Sequence, residues 1–306
     1  MKTITCDLCG CSDYEIFLSK EEWIWLPNEY RTNLVQCLQC RLIYQNPQLD
    51  SIELNKFYDS NYEPYVTPIS EEKNRIKKIF RLANIRKKTK LIERYYPNGG
   101  RILDVGCSTG VFLSQMKVIG WECFGVEPNN YAALIAQKNR GINVVQGYLS
   151  DLQEMNNYFD VITFWDVLEH TYSPMNELHL AYNLLKPRGI LVINIPNWDA
   201  FDREWLGKYW QGYDPPRHLY VFNKNTLIEY LSKTGFKLIE TLTIVSSYYA
   251  FIMGFIRKLE NESCKLARIV KFLLLMPGMR LLFEPWLRIY HNQNRSSVIT
   301  YVAQKL

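Results

Sequence analysis

Four of the eight cysteines fall as two pairs, Cys6 with Cys9 in "CDLC" and Cys37 with Cys40 in "CLQC". The two C-x-x-C knuckles stand 27 residues apart. Each knuckle turns two sulfurs toward one point, and two knuckles complete the tetrahedron of a four-thiolate zinc ribbon. Disulfides, disfavoured in a reducing compartment, and chance spacing are the alternatives. Four cysteines leave no coordination position for water, so a zinc held by them is structural. Cys11 is a nearby fifth thiol outside the pair spacing, and Cys107, Cys123 and Cys264 are scattered.

A second stretch, "RILDVGCSTGVFL" at 101–113, is an apolar run that ends on Asp104 and breaks into small residues. Gly106 and Gly110 allow a backbone to approach a ligand, and the helix that follows presents free N–H groups. A nucleoside triphosphate would need G-x-x-x-x-G-K-[ST], with a lysine for the phosphates. This turn has an acid and no cation, which suits a ligand carrying positive charge. The full G-x-G-x-x-G dinucleotide spacing is also missing. Glu127 ends the next apolar run 23 residues beyond Asp104, close to the separation of a ribose-binding acid in a nucleotide fold.

Bases for proton removal are few, because the chain has only four histidines. His170 follows an apolar run in "FDVITFWDVLEH", and His218 lies in "DPPRHLYVF". His179 on a helix and His291 read as structural or surface. Residues 197–222 hold Trp198, Trp205 and Trp210 with Tyr209 and Tyr213. Such a segment either covers an active site and stacks on a ring-shaped acceptor, or packs only on itself. Arg217 suits a carboxylate or phosphate.

Positioning these groups requires a sheet. From residue 101 apolar strands alternate with helices about every 20 residues: "RILDV", "WECFGVE", "INVVQ", "FDVITFW" and "GILVINI", with helices at 110–119, 129–139 and 173–186. Near-continuous Val, Ile, Leu and Phe is what a sheet covered on both faces requires. "FKLIETLTIV" and "SSVITYVAQ" add a sixth and a seventh strand. The fold class expected is α/β: a Rossmann-like, doubly wound, mostly parallel seven-stranded sheet preceded by a small zinc ribbon. The divisions expected are a ribbon at 1–50, a helical connector at 51–98 and a catalytic domain at 99–306, with a helical insertion at about 246–292. In the connector, Ser70 is the expected N-cap, and Ile76, Ile79, Phe80, Ala83, Leu91 and Ile92 form an apolar stripe.

The combination "LDVGCSTG", "FGVEPN" and "FDVITFWDVLEH" resembles the class I S-adenosylmethionine-dependent methyltransferases over residues 100–240. The resemblance implies that Asp104 holds the amino end of the methionine moiety, with Gly106, Cys107 and Gly110 around the donor, and that Glu127 binds the ribose hydroxyls. It places Tyr148 and Leu149 at the adenine, and Phe164, Trp165 and Asp166 near the sulfonium. His218 and His170 become the candidate catalytic bases. The acceptor contacts expected are Arg217, Trp198, Tyr213 and Tyr62, and Tyr58, Tyr62 and Tyr65 are positioned in sequence to close over the methionine end.

With its ribbon and "RHLYVF", the chain resembles bacterial methyltransferases linked to sugar and surface-polysaccharide modification. A sugar or nucleotide-linked sugar is therefore the first expectation for a small-molecule acceptor, by O- or C-methylation. A membrane-surface lipid or quinone O-methyltransferase is the alternative, and an RNA methyltransferase a weaker one. Nine Lys or Arg lie between 73 and 90, with the single aromatic Phe80 among them; one ring is too few for a base-stacking platform, which disfavours nucleic acid. The net charge of +5 is mild. The insertion mixes apolar residues with Arg and Lys, as interfacial helices do; packing on the sheet or on a second subunit is the other reading. No secretory signal and no membrane-spanning run is read, so the expected location is cytoplasmic or peripheral at the inner membrane surface.

Overall fold

The computed structural model describes residues 1–23, 26, 29–58, 75–244, 247–276 and 278–306. Ser70, Tyr62 and Tyr65 lie outside the described residues. The strands in chain order are β1 (Tyr14–Leu18), β2 (Asn33–Cys37), β3 (Ile43–Asn46), β4 (Arg101–Val105), β5 (Glu122–Glu127), β6 (Asn143–Gln146), β7 (Phe159–Trp165), β8 (Leu185–Pro196), β9 (Tyr220–Val221), β10 (Phe236–Leu242) and β11 (Val298–Lys305). They form two compact units, and neither is contiguous in sequence. One comprises Met1–Phe57, Ile195–Leu227 and Val245–Ile299; the other comprises Tyr58–Asn194, Ile228–Ile244 and Thr300–Leu306.

The second unit holds the seven-stranded sheet, ordered β10-β11-β8-β7-β4-β5-β6. Pairings β4–β5, β4–β7, β5–β6 and β7–β8 are parallel, and β10–β11 is antiparallel. Strand order therefore reverses on either side of β4, which opens a crevice at the carboxyl ends of β4 and β7. Ile102, Leu103, Phe159, Ile162, Phe164 and Leu191 are buried, as a sheet covered on both faces demands.

The helices begin and end where side chains satisfy their open backbone groups. Asn129 caps Asn130–Arg140 by accepting from Ala132 N at 3.0 Å, and Gly141 ends that helix in a left-handed conformation. Ser173 caps Pro174–Leu184, with Pro174 in its first turn. The connector helix runs Arg75–Tyr95. Among the described side chains of the expected stripe, Leu91 and Ile92 are buried and Ile79 is exposed; the Ile76 side chain lies outside those described.

The first unit carries a four-stranded sheet, β1-β2-β3-β9. Its last strand comes from "RHLYVF", pairing Ile43 with Val221 and Tyr44 with Tyr220. Its other large part is helical. The insertion expected as a helical segment forms three helices, Tyr248–Glu262, Cys264–Leu274 and Met279–Asn292.

Candidate active site

At the end of β4 the chain leaves the sheet through Gly106, Ser108 and Gly110, all with positive φ. A Cβ on Gly106 would lie 2.7 Å from Val167 Cγ2, and one on Gly110 would lie 2.9 Å from Ala136 Cβ. Both the left-handed backbone and the close approach therefore demand glycine. Gly106 N and Cys107 N donate to Val126 O at 2.8 and 3.1 Å, which ties the turn to β5. The Cys107 thiol is buried against Gly125 beneath that strand, and burial raises it above its ordinary value.

Register sets the acids. Asp104 is paired with Thr163 across β4 and β7, and Thr163 Oγ1 donates to Asp104 Oδ1 at 2.6 Å. Burial raises the Asp104 carboxyl to about 7; Thr163 and Lys88 oppose that shift and Glu127 adds to it. Glu127 is also buried. Its Oε2 accepts from Ser108 N at 2.9 Å and its Oε1 from Asn129 N at 2.8 Å, so the glycine turn and the next helix cap aim it together.

At the end of β7, Phe164 is buried, Trp165 half-buried and Asp166 exposed. Asp166 has φ 59°, an uncommon conformation for a non-glycine residue. Asn194 holds it there: Asp166 N donates to Asn194 O at 2.9 Å, and Asn194 Nδ2 donates to Asp166 Oδ1 at 2.6 Å. Thr300 Oγ1 fixes Asn194 in turn, at 2.8 Å from its Oδ1. Lys88, from the Arg75–Tyr95 helix, places its ammonium 4.3 Å from the Trp165 ring centroid. Burial lowers that ammonium below its ordinary value, against the pull of Asp166 and Asp104. Lys88, Thr163 and Asn194 were not singled out from sequence. Lys88 was one of nine neighbouring cations, and the other two sat inside apolar strand runs.

Leu149 is buried and Tyr148 exposed. Asp151 Oδ2 accepts from Tyr148 N at 2.8 Å, so this acid fixes the turn after β6. His170 Nδ1 lies 2.9 Å from the Tyr58 hydroxyl.

In the first unit, His218 is buried and its Nδ1 lies 2.8 Å from Gly212 O. A carbonyl only accepts, so the proton is on Nδ1 and the basic lone pair on Nε2. Gln45 Nε2 donates to His218 O at 2.7 Å, holding the histidine's backbone beside β3. Asp214 accepts from Gln211, Arg217 and Arg257. Burial pushes its carboxyl up, but His218, Arg217 and Arg257 outweigh burial and hold it below its ordinary value. Arg217 thus forms an ion pair with Asp214 at 2.6 Å.

The aromatic segment packs on itself and its own unit. Trp198 lies 5.6 Å from Phe17, Tyr213 4.9 Å from Trp210, and Arg203 sits 4.0 Å over Trp198. Trp205 stacks on Phe251 and Phe255.

The same unit gathers Cys6, Cys9, Cys37 and Cys40, with all four sulfurs within 4.8 Å of one another. Cys6 and Cys40 sulfurs are 3.4 Å apart, and those of Cys9 and Cys37 are 3.5 Å apart. A tetrahedral zinc with bonds of about 2.3 Å to thiolates has sulfur–sulfur edges of about 3.8 Å, so the donor set fits the metal. The knuckles are built alike: Cys6 O accepts from Gly10 N at 2.7 Å and Cys37 O from Arg41 N at 3.1 Å. Gly10 and Arg41 both take positive φ. Cys11 stands apart, its sulfur accepting from Asp13 N at 3.4 Å.

Comparison with known proteins bears on the family and the fold. A family model described as a methyltransferase domain matches residues 76–241. The chain is 25% identical over 162 residues to a ubiquinone biosynthesis O-methyltransferase of Bradyrhizobium diazoefficiens, covering 50% of this chain and 64% of that protein. It is 31% identical over 104 residues to the Ruegeria pomeroyi protein of the same name, covering 32% and 42%. The chain therefore spans less than two thirds of the length of these relatives. The structure of a "putative sarcosine dimethylglycine methyltransferase" from Galdieria sulphuraria has a TM-score of 0.52 at 14% identity, covering 83% of this chain and 98% of that one. That likeness is one of fold. With more than half its length matched by the family model, the chain belongs to the methyltransferase-domain family.

Proposed function

We propose that the chain transfers a methyl group from S-adenosylmethionine to a hydroxyl oxygen of a small-molecule acceptor of the phenol or hydroquinone type. The observation that carries the donor is the pair Asp104 and Glu127, two buried acids on adjacent strand ends beside a glycine turn. When bound, the donor supplies an electrophilic methyl group on a sulfonium. As a carboxylate, Asp104 takes its amino group, and Glu127 takes its ribose hydroxyls. Lys88 takes its carboxylate, and the Trp165 face favours neighbouring positive charge. Asn194 positions Asp166 by holding its backbone and side chain.

His218 is the base we favour. Its Nδ1 contact with Gly212 puts the lone pair on Nε2, and the charge of Asp214 stabilises the imidazolium that forms on proton uptake. His170, held by Tyr58, is the second candidate. Zinc at Cys6, Cys9, Cys37 and Cys40 has a structural role, because four thiolates close its coordination.

The oxygen acceptor is favoured by the relatives, which bear the name of ubiquinone biosynthesis O-methyltransferases. The sugar acceptor expected from the sequence draws no support from them. Labelled-methyl transfer against hydroquinones, nucleotide sugars and bulk RNA tests the reading. Label in the hydroquinone alone supports it; label only in a sugar or in RNA overturns the acceptor, and no heat from S-adenosylmethionine in calorimetry overturns the donor.

A further inference from the structure

We infer that the face built by the helices Cys264–Leu274 and Met279–Asn292 docks on an anionic lipid bilayer. This rests on the proposed acceptor for its purpose, since a lipid-borne hydroquinone is presented at a membrane surface, but the docking itself is independent of methyl transfer. On the first helix, Ala267 and Leu274 are buried, whereas Ile269 is 60% and Phe272 69% exposed. Leu266 and Leu273 lie on the same exposed arc. Lys265 falls within that arc, and Arg268 and Lys271 follow along its flank, all three exposed. The second helix repeats the arrangement: Leu287 is buried, Leu282 is 72% exposed, and Leu281, Trp286 and Ile289 are exposed with it.

Charge decides the occupant. The helix Cys264–Leu274 carries three cations, Lys265, Arg268 and Lys271, and no Asp or Glu, whereas Arg280 on the next helix is paired with Glu284 at 3.5 Å. A groove lined by Arg268, Lys271, Phe272, Leu275 and Met276 has two cations beside an apolar floor, the composition that receives a lipid phosphate above its acyl root. Two-fold pairing with a second copy would set the same patch against itself and bring like charges together, whereas anionic headgroups neutralise them. An amphipathic helix with basic flanks and exposed Phe, Leu and Trp lies in the interface plane. No helix among the described residues is long and apolar enough to cross a membrane.

The test is sedimentation of the full chain with vesicles of phosphatidylcholine alone or mixed with phosphatidylglycerol. Binding is expected only to the mixed vesicles and is expected to weaken with added salt. Each cation removed lowers partitioning about five-fold, so R268Q/K271Q loses about 25-fold. I269Q/F272Q also detaches, while its calorimetric affinity for S-adenosylmethionine stays unchanged; L282Q serves in its place should the double variant misfold. A wild-type chain that binds S-adenosylmethionine but stays in the supernatant overturns the proposal. So does sedimentation-velocity evidence of a dimer that I269Q/F272Q dissolves without any vesicle binding. Loss of donor binding in the wild type would instead strike the methyltransferase reading alone.

Discussion

The Lys88 ammonium lies over the Trp165 ring, 4.3 Å from its centroid, and feels the charges of both Asp166 and Asp104. A buried cation is thus held beside two acids, and the methionine end of the proposed donor carries both an ammonium and a carboxylate. K88M should weaken S-adenosylmethionine and S-adenosylhomocysteine together, by about ten-fold or more for a lost charged hydrogen bond. The decarboxylated donor should bind wild type and variant alike in calorimetry. An equal loss for that analogue would remove the assignment.

If Asp104 takes the donor's amino group as proposed, donor binding should depend on pH. Its carboxyl is raised from an ordinary 3.8 to about 7, first by burial, and the amino group needs the carboxylate. Donor affinity should fall about ten-fold between roughly pH 8 and pH 6. Stability runs the other way. A group whose folded value lies above its unfolded one contributes most below the unfolded value, and that contribution is lost as pH rises through about 7. Melting curves of the ligand-free chain should therefore fall toward neutral pH, and D104N should flatten both dependences.

Glu127 is gripped by two backbone amides, from Ser108 and Asn129. E127Q keeps the shape and removes the charge, and we expect about 100-fold weaker donor binding from two weakened charged hydrogen bonds. A donor analogue lacking ribose hydroxyls should bind wild type and E127Q with the same low affinity. A large difference for that analogue would place Glu127's role elsewhere.

For His218, H218N should lower kcat by about 10² to 10⁴, the range of general base catalysis, while calorimetric donor affinity stays constant. The pH–rate profile should lose its acidic limb. A profile unchanged in shape would shift the role to His170, where H170N gives the matching test.

Elemental analysis should find zinc in the purified chain, and C37S or strong chelation should remove it and lower the melting temperature. C11S should retain the metal, because the Cys11 sulfur serves the turn at Asp13. Zinc lost on C11S, or intact melting after chelation, would contradict a structural site at the four paired cysteines.

Much of this protein is written locally. The C-x-x-C knuckles are local turns, and Gly10 and Arg41 show the backbone each needs. Asp104 and Glu127 were legible because an apolar run ends at each, and parallel strands then place their ends side by side. Only tertiary structure decided the rest. "RHLYVF" became β9 because Tyr220 and Val221 found the edge of β3, and a two-residue strand has no period to read. Arg217, free in sequence to meet a substrate, meets Asp214 three residues away. Lys88 was one of a run of cations until the Arg75–Tyr95 helix docked it over Trp165. Asn194 gained its task only when β8 paired with β7 and brought it beside Asp166. Periodicity and turn chemistry act over a few residues and are readable one segment at a time; charge pairing and strand-edge capture act between segments that share no sequence neighbourhood, so they exist only once the chain has folded.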